Sequence, residues 1–97
     1  VAIHRLAIPV TDYQEIVVSG RVLSVHPDRG GYSDLFDLWF EADGEPQKVG
    51  LYIFGTGHPT PWSHWTRTAY QYIGTVVNDY LVWHVYTGPL AGEAIPA

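Results

Sequence analysis

The chain has 97 residues, 46% of them apolar and 14% aromatic, with no cysteine and a formal charge of −5. That length suits one domain with one hydrophobic core, and the lack of cysteine excludes a disulfide framework, thiolate zinc or iron–sulfur ligation and a thiol nucleophile. The five basic residues, Arg5, Arg21, Arg29, Lys48 and Arg67, are scattered among ten acids, a balance that disfavours duplex nucleic acid, which needs clustered cations, and suits a basic protein partner.

Short β-branched and aromatic runs separated by Gly, Pro, Asn and Asp clusters predict an all-β fold. The expected architecture is a small antiparallel sandwich or partly open barrel of about seven strands, with one long aromatic loop. The first runs are Ala2 to Ile8, Tyr13 to Val18 and Arg21 to His26. Ser19-Gly20, between the second and third, reads as the two-residue loop of a hairpin.

Asp34 to Ala42 follows, where Phe36, Leu38 and Phe40 alternate with Asp37, Trp39 and Glu41. One face is inward, and Trp39 points outward among acids. An outward tryptophan is a candidate contact residue, although cover by a neighbouring loop or the other sheet is the commoner arrangement. Asp28, Asp34, Asp37 and Glu41 read as a solvated edge whose charges discourage aggregation through strand pairing. Asp43-Gly44 supplies another turn, with Pro46 preventing immediate pairing, ahead of a strand from Lys48 to Thr56.

Gly55 to Arg67, GTGHPTPWSHWTR, is the long irregular connection, with a short turn of helix expected around Trp62 to Trp65. Its glycines ease the exit from the strand ending at Phe54. A phosphate loop would instead end in Gly-Lys-Ser/Thr and open a helix. His58 and His64 lie here without His-x-His or His-x-x-x-His spacing and without a carboxylate in the loop, so no metal and no cofactor is expected. Ser63 beside His64 has no nucleophile elbow and no positioned acid. What the loop offers is contact area, from Trp62 and Trp65 with Arg67 nearby. Capping the end of the sheet is the alternative task for the two rings.

Ala69 to Val77 and Tyr80 to Thr87 complete the strands, joined by Asn78-Asp79 as a third hairpin. A two-residue loop there pairs Val77 with Tyr80 and Gly74 with Trp83. Tyr72, Gly74, Val76, Leu81, Trp83 and Val85 then share the inward face, with the Trp83 ring over the bare backbone of Gly74. Residues 1–87 form the expected domain and 88–97 a flexible tail. No apolar run approaches the roughly 20 residues of a membrane span and no signal-peptide layout opens the chain. A soluble protein of the cytoplasm, away from membranes, is expected.

Several segments carry a resemblance: HRLAIPVTD from His4, GRVLSV at Gly20 to Val25, LFDLWF at Leu35 to Phe40, FGTGHPTP at Phe54 to Pro61 and YIGTVVNDYLVWHVY at Tyr72 to Tyr86. With them the chain resembles a group of small uncharacterised proteins of actinobacteria and their bacteriophages. Gly55-Thr56-Gly57-His58 and Leu81-Val82-Trp83-His84 are the most specific pieces. The chain departs from the pattern between Pro61 and Tyr72, where WSHWTRTAYQ adds tryptophans. The resemblance implies a phage or actinobacterial origin and brings no catalytic residues.

The favoured reading is a non-enzymatic bacteriophage accessory protein in the host cytoplasm. It would bind a host or phage protein or assemble with itself, most simply as a homodimer. His58, His64, Trp62, Trp65, Arg67 and Trp39 are the candidate binding residues, and no catalytic residue is assigned. A second reading is a small-ligand binder that sequesters a nucleotide, with the tryptophans stacking a base and Arg67 holding phosphate. A third is a small enzyme using His58 or His84 as general base beside a carboxylate of the acidic strand.

Overall fold

The computed structural model describes residues 1–60, 67–78 and 80–92. Its seven strands are β1 (Ala2–Pro9), β2 (Tyr13–Val18), β3 (Val22–Pro27), β4 (Leu35–Ala42), β5 (Gln47–Gly55), β6 (Gln71–Asn78) and β7 (Leu81–Gly88), with one 3₁₀ turn at Arg67–Ala69. All ladders are antiparallel, in a three-stranded sheet of order β1-β4-β3 and a four-stranded sheet of order β2-β5-β7-β6. The fold is an all-β sandwich, not closed into a barrel. Among the described residues no helix is long and apolar enough to cross a membrane.

The alternation in β4 works as its sequence requires. Phe36, Leu38 and Phe40 point inward and are buried. Opposite them Leu51, Ile53, Val76 and Val85 come from the other sheet, with Ile8, Ile16, Val18 and Val25 filling between. Hiding side chains of this size contributes about 1.5–3 kcal/mol each, and the period of two keeps the set on one face.

Two expected hairpins are corrected. Ser19-Gly20 does not join paired strands, because β2 pairs with β5 in one sheet while β3 pairs with β4 in the other. Asp43-Gly44 likewise carries the chain from β4 into β5 across the sheets. The two bends lie side by side, tied by Asp43 N–H to Ser19 O at 2.9 Å and Glu41 N–H to Arg21 O at 2.9 Å. Residues 13–27 and 35–55 are thus one long two-stranded ribbon folded over at a corner, the usual way strands switch sheets. A Cβ on Gly20 would stand 2.0 Å from the Glu41 carbonyl oxygen. Gly44 has φ +106°, a conformation that L side chains resist.

The β6–β7 hairpin forms with a shifted register. Asn78 pairs with Leu81 and Val76 with Trp83, while Tyr80 is fully exposed in the turn. A bulge between Tyr72 and Gly74 sends Tyr72 to the outer face, where it is 53% exposed, instead of into the core. Gly74 pairs with Val85, and its bare backbone admits Val25 of β3, whose Cγ2 is 3.0 Å from where a Cβ would sit. Trp83 therefore does not cover Gly74.

Asp37 overturns the picture of a solvated acidic edge. Although on the outer face of β4, it is only 1% exposed, and Arg5 Nη1 donates to its Oδ1 at 2.7 Å. Asp28 is half-buried, and its Oδ2 accepts from the Gly30 and Tyr32 N–H groups, while Asp34 is exposed.

Gly20→Ala is expected to destabilise by about 3 kcal/mol, through collision with backbone that cannot move aside. Gly44→Ala at the same corner meets nothing closer than 3.9 Å and should lose about 1 kcal/mol, from dihedral strain alone. Urea unfolding of both variants checks the ranking. Arg5→Leu, which leaves a buried carboxylate without its partner, should cost about 3 kcal/mol in the same assay.

Candidate functional site

The outer face of the four-stranded sheet carries a cross-strand row of tyrosines. Tyr13 pairs with Tyr52, Tyr52 with Tyr86, and Tyr86 with Tyr72. One ring from each of β2, β5, β7 and β6 therefore stands in line, as residues sharing a register position must. The rings lean on each other instead of lying flat. Tyr13 and Tyr52 are 5.0 Å apart and tilted, Tyr72 and Tyr86 are 5.3 Å apart near the edge-on arrangement, and Tyr70 meets Tyr52 edge-on at 5.1 Å. Such contacts fix ring orientation and contribute about 0.5–1.5 kcal/mol per pair beyond burial.

The next row toward the long loop holds Phe54, His84 and Thr75. Both nitrogens of the His84 ring are engaged, Nε2 with Thr56 Oγ1 at 2.8 Å and Nδ1 with Thr75 Oγ1 at 3.1 Å. Thr75 is in turn bonded to the Tyr72 hydroxyl. A neutral imidazole donates at one nitrogen and accepts at the other, so the chain Thr56–His84–Thr75–Tyr72 runs from the turn after β5 across β7 to β6. Among the described residues neither His84 nor His58 forms an ion pair with a carboxylate.

His58 closes the exit from β5. Its N–H donates to Gly55 O at 3.1 Å, Gly57 between them has φ +87°, and the ring lies 3.1 Å from where a Gly55 Cβ would be. The glycines do ease a sharp turn. His58 borders two hollows. One, of about 540 Å³, is lined by Asp12, Tyr13, Tyr52, Phe54, His58, Pro59 and Thr60. The other, of about 280 Å³, lies between the Gly55–His58 turn and Tyr80 to Trp83. Trp83, which borders this second hollow, has a buried Nε1–H that meets no acceptor among the described residues.

At the opposite end of the tyrosine row the chain after β7 crosses the face. The Tyr52 hydroxyl donates to Pro89 O at 2.5 Å, and Ala91 N–H donates to the Tyr13 hydroxyl at 2.8 Å. Gly50 makes room for the crossing, since a Cβ there would be 2.4 Å from Pro89 O.

Of the six binding residues expected from sequence, His58 belongs to this site. Trp62, His64 and Trp65 lie outside the described residues, as does the turn of helix expected around them. Arg67 is described in its backbone alone, as the first residue of the 3₁₀ turn. Trp39 is half-buried on the outer face of the other sheet, so the structure does not bring it to His58. The tyrosine row was missed by sequence reasoning. Its visible signal was the tyrosines at 13, 52, 72 and 86, but only the long-range β2–β5 and β5–β7 registers align them.

Tyr52→Phe removes one hydrogen bond to the crossing segment and is expected to lower stability by about 1 kcal/mol. Limited proteolysis should then cut beyond Gly88 faster than in the wild type, a difference read directly by mass spectrometry.

No curated protein and no solved structure matches the chain significantly. Residues 1–95 match a family described as a domain of unknown function, DUF7352. With nearly the whole chain inside that match, the protein belongs to the DUF7352 family.

Proposed function

We propose that the protein is a non-enzymatic accessory protein, of the bacteriophage kind its sequence resembles, which acts in the host cytoplasm by holding a basic segment of another protein. The observation that carries this reading is the 540 Å³ hollow at the head of the tyrosine row. Its volume falls in the range that encloses a side chain or small ligand, and Tyr13, Tyr52 and Phe54 line it together with Asp12, His58, Pro59 and Thr60. Aromatic faces beside a carboxylate attract a cation, since ring quadrupole and negative charge act in the same sense. The net charge of −5 steers the same class of partner toward the surface. Tyrosine suits recognition because it offers broad amphipathic area with few rotatable bonds to freeze.

The nucleotide reading placed at the long loop drew on Trp62, Trp65 and Arg67. His58, its fourth residue, lines the hollow, and the side chains of the other three lie outside the described residues. The enzyme reading requires a carboxylate of the acidic strand beside His58 or His84; threonine hydroxyls support His84, and the carboxylate that shares a hollow with His58 is Asp12, outside that strand.

Selection of displayed random peptides against the protein tests the proposal. Enrichment of peptides with a lysine or arginine anchor is expected, and Asp12→Asn should weaken their binding by about three- to fivefold, as befits an exposed charge. Enrichment of acidic or uncharged peptides, or equal binding by the Asp12 variant, would refute it.

A further inference from the structure

The outer face of the three-stranded sheet holds a second arrangement, remote from the tyrosine row. Three of the five basic residues gather there in a chain whose net charge is −5. Arg5 and Arg29 both approach Asp37, and Arg21 pairs with Glu41 at 3.0 Å. Around Asp37 itself two guanidiniums meet one carboxylate, while Arg21, Glu41 and Asp28 bring the face as a whole to three of each. Asp28, in the same loop as Arg29, turns its Oδ2 to the backbone N–H groups of Gly30 and Tyr32.

The two arginines are held differently. Arg5 Nη1 donates to Asp37 Oδ1 at 2.7 Å, which orients the guanidinium while leaving further N–H groups of its planar fork to donate elsewhere. Arg29 stands on the other side of the carboxylate, with Nε 3.9 Å from Oδ2 and a side chain 67% exposed. It is attracted to Asp37 without a hydrogen bond to it, and Oδ2 accepts none from any other described group. One buried carboxylate therefore gathers two guanidiniums and offsets only one of their charges. Beside them, Trp39 is the register partner of Arg5, and His26 that of Asp37. Ser24 of β3 is the other register partner of Trp39, and Ala7 pairs with Asp37 beside it, so both neighbours carry small side chains.

We infer that this face binds a small phosphate ester bearing a planar ring, with the phosphate on the solvent side of Arg5 and Arg29, held by the N–H groups that Asp37 does not use, and the ring against Trp39. A phosphate presents several oxygens to two guanidinium forks and supplies the negative charge that the pair lacks. Asp37 acts as a positioning residue, since it orders the arginines before the ligand arrives and so reduces the entropy lost on binding. This site goes beyond the proposed basic-segment hollow, and either can fail without the other.

Nuclear magnetic resonance titration with adenosine monophosphate, inorganic phosphate and adenosine tests the inference. The monophosphate should shift the Nε–H signals of Arg5 and Arg29 and the indole signal of Trp39, leaving that of Trp83 in place. It should bind about tenfold more tightly than inorganic phosphate, because stacking adds to the charge contacts, and adenosine alone should bind at least as much more weakly. Arg29→Gln, at an exposed position that keeps the Arg5–Asp37 pair, should retain the wild-type urea midpoint and lose about tenfold in affinity for the monophosphate. Lys48→Gln, the same charge change on the other sheet, should lose less than about twofold. No shift at millimolar monophosphate, or equal weakening by the two variants, would overturn the site. Equal affinity for inorganic phosphate and the monophosphate would overturn the assignment to Trp39.

Discussion

The fold depends on the close backbone approach at Gly20. There the chain bends from β2 in one sheet to β3 in the other, and the Glu41 carbonyl occupies the space any side chain would need. The hydrogen bonds on either side, Asp43 to Ser19 and Glu41 to Arg21, carry the ladder through the bend. Because the ribbon folds there, the inward faces of β3 and β4 come to lie over those of β2 and β5, and the rows Phe36–Leu38–Phe40 and Leu51–Ile53 meet. The corner sets the sandwich, and the sandwich sets which rows of side chains face outward together.

Those outward rows have distinct characters. The four-stranded sheet displays tyrosines that lean on one another and are gripped at one end by the chain after β7. The three-stranded sheet displays arginines gathered by a buried aspartate beside a half-buried tryptophan. One side joins aromatic walls to a carboxylate, and the other sets an indole beside two guanidiniums gathered on one aspartate, so the two faces differ in the charged groups they display. That segregation is invisible in the net charge, which averages over both.

The sequence reading recovers the strands well because their signal is local. Period-two alternation in LFDLWFEA and the apolar spacing of YLVWHVY depend on nothing beyond the run itself, and five of the core positions, Phe36, Leu38, Phe40, Val76 and Val85, follow from it. Which strands pair is another matter. Ser19-Gly20 looks the same whether it closes a hairpin or turns a sheet corner, since both need residues that bend the backbone tightly, and only the identity of the partner strand decides. The register of the last hairpin slipped for a related reason. Asn78 suits a turn as readily as a strand end, and its side chain reaches Tyr32 of a distant loop, a contact that no local rule contains. Asp37 was misjudged because a carboxylate on an outward strand position normally meets water, and the two arginines that gather around it come from 32 residues before and from the preceding loop. Of the candidate site, His58 was legible from the Gly-rich turn that presents it, whereas the tyrosine row is a product of pairing between β2, β5 and β7.

The order of strands also dictates how the chain must assemble as it leaves the ribosome. β1 pairs with β4 and β2 with β5, so the first two strands emerge without partners and carry Ile8, Ile16 and Val18 uncovered until much of the sequence has been made. Distant pairing of this sort slows folding and prolongs the exposure of sticky edges. The hairpins β3–β4 and β6–β7 are the segments able to zip early. The nascent N-terminal third is therefore where misassembly would start, and rapid elongation through residues 20–55 would protect it more than any strengthening of the finished core.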